Sequence, residues 1–71
     1  MDLRQLRASC LLTQGDVKDE TGIEQATLSK IENSIHDPHM ETLRKLADCY
    51  DVDYSIITNA LKETRERRVK V

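Results

Sequence analysis

Residues 12–33, Leu12-Thr13-Gln14-Gly15-Asp16-Val17-Lys18-Asp19-Glu20-Thr21-Gly22-Ile23-Glu24-Gln25-Ala26-Thr27-Leu28-Ser29-Lys30-Ile31-Glu32-Asn33, read as two short helices joined by a glycine turn. Thr13 suits the N-cap of the first, its hydroxyl accepting from the free amides of a helix that starts at Gln14. Val17 is that helix's inward anchor. Thr21-Gly22 ends it, because glycine supplies the left-handed conformation a tight turn needs. Ile23 plugs the corner, and the second helix runs from about Glu24 to Asn33. Leu28 and Ile31, three apart, share one face of it. That leaves Gln25, Ala26, Ser29, Lys30 and Asn33 on the other, mostly polar face. Two helices so joined suit a chain that lays one across a DNA backbone and the next in the major groove.

Outward from this centre the periodicity predicts an all-α chain. A first helix runs from about Asp2, a good N-cap, to about Cys10 and buries Leu3, Leu6 and Cys10. Residues 33–38, Asn-Ser-Ile-His-Asp-Pro, have turn chemistry. A fourth helix from about His39 to Cys49 turns Met40, Leu43, Leu46, Ala47 and Tyr50 to the core. After Asp51-Val52-Asp53, a fifth helix is capped by Asp53 and carries Ile56, Ile57, Ala60 and Leu61 on its apolar side. Residues 1–61 are therefore one domain. The basic extension 62–71 either continues the last helix, with Glu63 and Arg67 four apart, or frays.

A chain of 71 residues buries only roughly 60% of its unfolded surface, so helix packing has to carry its stability. Phe and Trp are absent, and Leu, Ile, Val and two Tyr must fill the interior. No apolar run approaches the roughly 20 residues that cross a bilayer, and no signal peptide is visible, so a cytoplasmic protein is expected. Cys10 and Cys49, without clustered histidines, make a poor metal site. Two buried, reduced thiols are expected, an oxidised pair being the alternative. No nucleophile, base and orienting group recur together, and no phosphate loop is present. Neither an enzyme nor a cofactor is expected, and no small-molecule ligand is evident.

In order and spacing, several pieces resemble the helix-turn-helix of the phage repressor and Cro family, the Xre-type regulators. They are Leu-Arg-Gln-Leu-Arg at 3–7, Leu-Thr-Gln at 12–14, Thr-Gly-Ile at 21–23 and Thr-Leu-Ser-Lys-Ile-Glu-Asn at 27–33. Pro38, Glu-Thr-Leu-Arg-Lys-Leu-Ala at 41–47 and Val52-Asp53 complete the resemblance, from about Leu3 to Ile57. It implies a compact five-helix repressor-type domain and a sequence-specific transcription regulator. That regulator is expected to be a bacterial or phage-encoded repressor that binds double-stranded DNA as a homodimer on an inverted repeat. The resemblance also implies an inward-facing ion pair between Arg7 and Glu32. It puts the dimer contact near the fifth helix, at Tyr54, Ile57 and Leu61, with Val69 and Val71 as further candidates.

On the polar face, the Gln25 amide matches the major-groove edge of adenine, and the family's matching position reads bases. Lys30, one turn on, reaches guanine or a phosphate; Ala26 suits a thymine methyl, and Ser29 completes the set. Thr13, Gln14, Thr27 and Asn33 match family positions that hold phosphates, which fix register without reading sequence. Thr13 and Asn33 read equally well as caps. Glu24 at the tip has three readings: it accepts from a cytosine amino group, favours the helix dipole, or repels phosphates.

The net charge of -2 is unusual for a DNA-binding chain, and its distribution sharpens the problem. Residues 13–33 hold five acids and two bases, Lys18 and Lys30, for a local charge of -3; residues 54–71 hold five bases and two acids, for +3. Three departures from the family pattern stand out. Lys18 replaces an alanine where the helices cross. The loop after the third helix lacks the usual glycine and basic residues, leaving His36 and His39 as partial phosphate contacts that strengthen when protonated. Gly15 softens the second helix by up to about 1 kcal/mol relative to alanine. Together they predict weaker, more salt-sensitive DNA binding. The acidic motif also motivates a second reading: a protein-binding co-regulator or anti-repressor on the same scaffold, since fold alone does not fix function.

Overall fold

Caps set where the first helices begin. In the computed structural model, which describes residues 1–69 and side chains through Arg67, α1 (Leu3–Ser9) opens on Asp2. Asp2 Oδ1 accepts from the Gln5 amide at 2.8 Å while Gln5 Oε1 accepts from the Asp2 amide at 3.0 Å, a reciprocal capping box. α2 (Gln14–Thr21) repeats the device with Thr13 and Asp16, at 3.1 and 2.9 Å. It ends on Gly22, at φ 78°, whose amide donates to the Lys18 carbonyl at 2.8 Å. α3 (Gln25–Glu32) and α4 (Met40–Cys49) have no side-chain N-cap bond. α5 (Tyr54–Val69) starts beside Asp53, whose Oδ2 accepts from the Ser55 amide at 3.2 Å. Among the described residues there is no strand.

One core joins all five helices. Leu3 and Leu6 of α1, which packs on α5, share it with Ile57, Ala60 and Leu61 of α5 and with Val17, Leu28, Ile31, Leu43 and Leu46. On α5 the buried set Ile57, Ala60, Leu61 and Thr64 follows the i, i+3, i+4, i+7 spacing of a helix face. Ile56 is rotated off that face and stays 44% exposed, against the expectation that it lies on the apolar side. Met40, in the first turn of α4, is likewise exposed, and Leu43 is the first residue of that helix to reach the core. Cys10 and Cys49, expected inside, are half-buried. Cys10 has left α1 as its C-cap and donates to the Tyr50 carbonyl at 3.7 Å; the Cys49 thiol turns out to Glu20 Oε2 at 3.2 Å.

The extension beyond residue 61 continues α5 and is fastened to the rest. Thr64 is buried and accepts from the Leu3 amide at 3.0 Å. Arg67 donates to Asp2 Oδ2 at 2.6 Å, Arg65 to Asp37 Oδ1 at 2.9 Å, and the Met1 amine pairs with Glu63. The side chain of Val69, and all of Lys70 and Val71, lie outside the described residues.

Each of the four joints between helices holds a left-handed residue, and only Gly22 is glycine. The others are Leu11 (φ 59°), Ser34 (φ 57°) and Asp51 (φ 53°). A side chain at such a position costs roughly 1–2 kcal/mol.

Candidate nucleic-acid interface

The angle between α2 and α3 is set by their turn. Thr21 Oγ1 donates to the Val17 carbonyl at 2.7 Å and accepts from the Ile23 amide at 3.1 Å. Ile23, Val17, Leu28 and Ile31 are buried beneath it. With those four facing inward, Gln25, Ala26 and Lys30 are left exposed on α3, and Thr27 and Ser29 half-buried at its margins.

The lower end of α3 rests on a buried charge. Glu32 accepts from Arg7 Nε at 2.7 Å and Nη2 at 3.1 Å, and from Gln14 Nε2 at 3.1 Å. Arg7 Nη1 also donates to the Leu12 carbonyl at 2.9 Å, so one guanidinium ties α1 and the turn before α2 to the end of α3. The hydrogen bonds Arg7 donates to Glu32 raise the guanidinium pKa above its ordinary value, against the opposing effect of burial. A buried pair keeps its place only when its hydrogen-bonding capacity is met, as it is here.

This network changes what several residues have free. The Gln14 amide is already partly engaged by Glu32, and Thr13 is occupied as a cap, though it stands exposed beside the start of α2. Asn33 donates from Nδ2 to the Ser29 carbonyl at 2.8 Å and accepts from Arg4 Nη2 at 3.1 Å. Arg4, absent from the set read in the sequence, therefore adds an exposed guanidinium at the foot of α3, 4.0 Å from Glu32. Its signal was available: Arg4 lies three residues before Arg7 and so on the same side of α1. His36 and His39 are exposed in the loop that follows, where Arg65 engages Asp37.

At the other end of α3, Glu24 occupies the N-cap position without capping. Its Oε2 lies 3.6 Å from Lys18 Nζ, across the turn. The two residues that looked most out of place in the sequence are thus each other's partner.

Of the three residues assigned to a dimer contact, Ile57 is fully buried and Leu61 belongs to the core beside it. Neither has a side chain to offer a second chain. Tyr54 is half-buried under the Arg44 guanidinium, which lies 5.9 Å from the ring centre. Ile56 is the exposed apolar residue at that end.

An open cleft of about 370 Å³ is lined by Glu20, Thr21, Lys45, Asp48 and Cys49. Desolvation first, and the Glu20 hydrogen bond second, push the Cys49 thiol up to about 12, which holds it protonated at neutral pH. Among the described residues no three His, Cys, Asp or Glu side chains cluster as a metal site, and no helix is long and apolar enough to cross a membrane.

A family model described as helix-turn-helix matches residues 3–57, which takes in α1 to α4 and the start of α5. No curated protein and no solved structure matches the chain.

Proposed function

The chain belongs to the helix-turn-helix family of Xre/Cro/CI-type DNA-binding transcription regulators, and from that premise we propose that it is a repressor acting as a homodimer on an inverted repeat. The observation that carries this reading is α3 itself. It presents Gln25, Ala26 and Lys30 outward while the buried Arg7–Glu32 pair holds its other end. Gln25 and Lys30 read base edges, with Ala26 and Ser29 shaping the contact. Thr13, Gln14, Thr27 and Asn33, joined by Arg4, hold the phosphates that flank them, and His36 and His39 add to these.

One recognition helix covers only a few base pairs, so specificity comes from two half-sites about one helical turn apart. Ile56 and Tyr54 are the apolar side chains at the start of α5 available to a second copy. Ile56→Asp is expected to give a monomer with unchanged unfolding, whereas Ile57→Ala is expected to unfold the domain by about 2–5 kcal/mol.

The test is selection of bound duplexes from a random pool at about 50 mM salt, where phosphate contacts are strong. The repressor reading expects an inverted repeat, with weaker and less selective binding by Gln25→Ala and Lys30→Ala. A folded chain that enriches no duplex would favour the co-regulator reading, which rests on the exposed Asp16, Asp19 and Glu20 of α2.

A further inference from the structure

Glu24 is the acid nearest the leading end of the recognition helix, and a carboxylate there opposes a polyanion. Its backbone, at φ -58° and ψ 140°, is in the position from which an N-cap side chain could turn back over the first amides of α3. It does not do so: it makes no cap hydrogen bond, and its Oε2 stands 3.6 Å from Lys18 Nζ on α2. Lys18 replaces the small residue that the family pattern has at the helix crossing. Lys18 is exposed on α2, and its ammonium group reaches the Glu24 carboxylate on the other side of the turn. We infer that Lys18 is a positioning residue for DNA binding, holding the Glu24 carboxylate to the α2 side of the turn and cancelling its charge there.

The inference rests on the DNA-binding reading above. It differs from two simpler accounts of the same pair. A structural staple between α2 and α3 would reveal itself in stability, yet both side chains are largely exposed, 46% for Lys18 and 71% for Glu24, and such pairs contribute little to folding. A lysine that contacts phosphate on its own would act whatever stood at position 24. A positioning lysine acts only while Glu24 carries a charge.

The experiment is a double-mutant cycle on affinity for the duplex enriched by the full chain. It compares the wild type with Lys18→Ala, Glu24→Gln and the double variant, with Lys18→Arg and Lys18→Gln as companions, and records urea unfolding of each. Lys18→Ala and Lys18→Gln are expected to weaken binding about tenfold at unchanged stability, Lys18→Arg to retain it, and Glu24→Gln to reduce the Lys18→Ala loss to less than about twofold. The same loss in both backgrounds, with a salt slope lower by about 0.9, would make Lys18 an independent phosphate contact and overturn the inference. No loss on removing Lys18, or a loss matched by unfolding, would overturn it as well. If the wild type enriches no duplex, the DNA-binding reading fails and takes this inference with it. If the wild type binds but the cycle shows no coupling, only the role of Lys18 falls.

Discussion

Thr64 joins the two ends of the domain: its hydroxyl oxygen accepts from the Leu3 amide at 3.0 Å, and the same hydroxyl donates to the Ala60 carbonyl at 2.8 Å. The Leu3 amide is one of the orphan donors at the start of α1, and it is buried. Thr64→Val keeps the shape and removes the acceptor, so it is expected to cost about 1–3 kcal/mol in urea unfolding, and Thr64→Ser much less. A chain ending at Leu61 would lose this bond and the Arg67–Asp2 contact together.

The Arg7–Glu32 pair makes a second prediction. Arg7→Met leaves the buried Glu32 with Gln14 as its remaining side-chain donor and is expected to cost about 3–5 kcal/mol. Adding Glu32→Leu removes the stranded charge and is expected to recover most of that loss. Chemical denaturation of the three variants measures it. A double variant as unstable as the single one would mean that the pair matters for more than its charge balance.

The joints between helices predict changes of opposite sign. Ser34 is held left-handed, and among the described residues its buried Oγ has no hydrogen-bond partner. Ser34→Gly is expected to stabilise by about 0.5–1 kcal/mol: relief of the left-handed cost exceeds the extra freedom of the unfolded chain. Gly22→Ala is expected to lose about 1–2 kcal/mol, although a Cβ there would meet nothing within 4 Å, because its φ is 78°. Melting temperatures of the two variants should move in opposite directions.

The Cys49 thiol is raised from 9.0 to about 12, chiefly by burial and then by its bond to Glu20. The folded value exceeds the unfolded one, so stability is unaffected by this thiol below pH 9 and falls as pH rises toward 12. At pH 8, alkylation of Cys49 in the folded chain is expected to be slower than in the unfolded chain by about tenfold or more. Glu20→Gln should recover part of the rate and leave the larger effect of burial. Asp16 has the opposite sign: bonds from Thr13 hold it below its ordinary 3.8, and its contribution is lost as pH falls through that lowered value.

What could be read in advance was what local spacing determines. Thr13, Val17, Gly22, Leu28 and Ile31 form a cap, an anchor, a stop and a shared face, each judged within one or two turns of chain. The two helices of the motif followed from them, and the same kind of spacing gave the other three; the family came from the resemblance over residues 3–57. Ile56 and Ile57 were less tractable, because two adjacent apolar residues fit either edge of a stripe until the residues beyond them are placed. Thr64 is what places them, and as a polar residue it carried no burial signal. Leu11, Ser34 and Asp51 take left-handed conformations with no glycine to announce them. Pairings such as Arg65–Asp37 and Lys18–Glu24 depend on where one helix lies against the next, which no period encodes. Arg7–Glu32 was foreseen from the family resemblance, since 25 residues separate the partners.

Four basic side chains, Arg7, Lys18, Arg65 and Arg67, each lie within 4.0 Å of a different acid of the same chain. Seen from a distance, their charges are largely closed into dipoles whose fields fade quickly. Long-range attraction is what lets basic proteins find a duplex faster than free diffusion with random orientation allows. A regulator built this way starts its search with little of that pull, so its occupancy is governed by how long it stays rather than by how often it arrives.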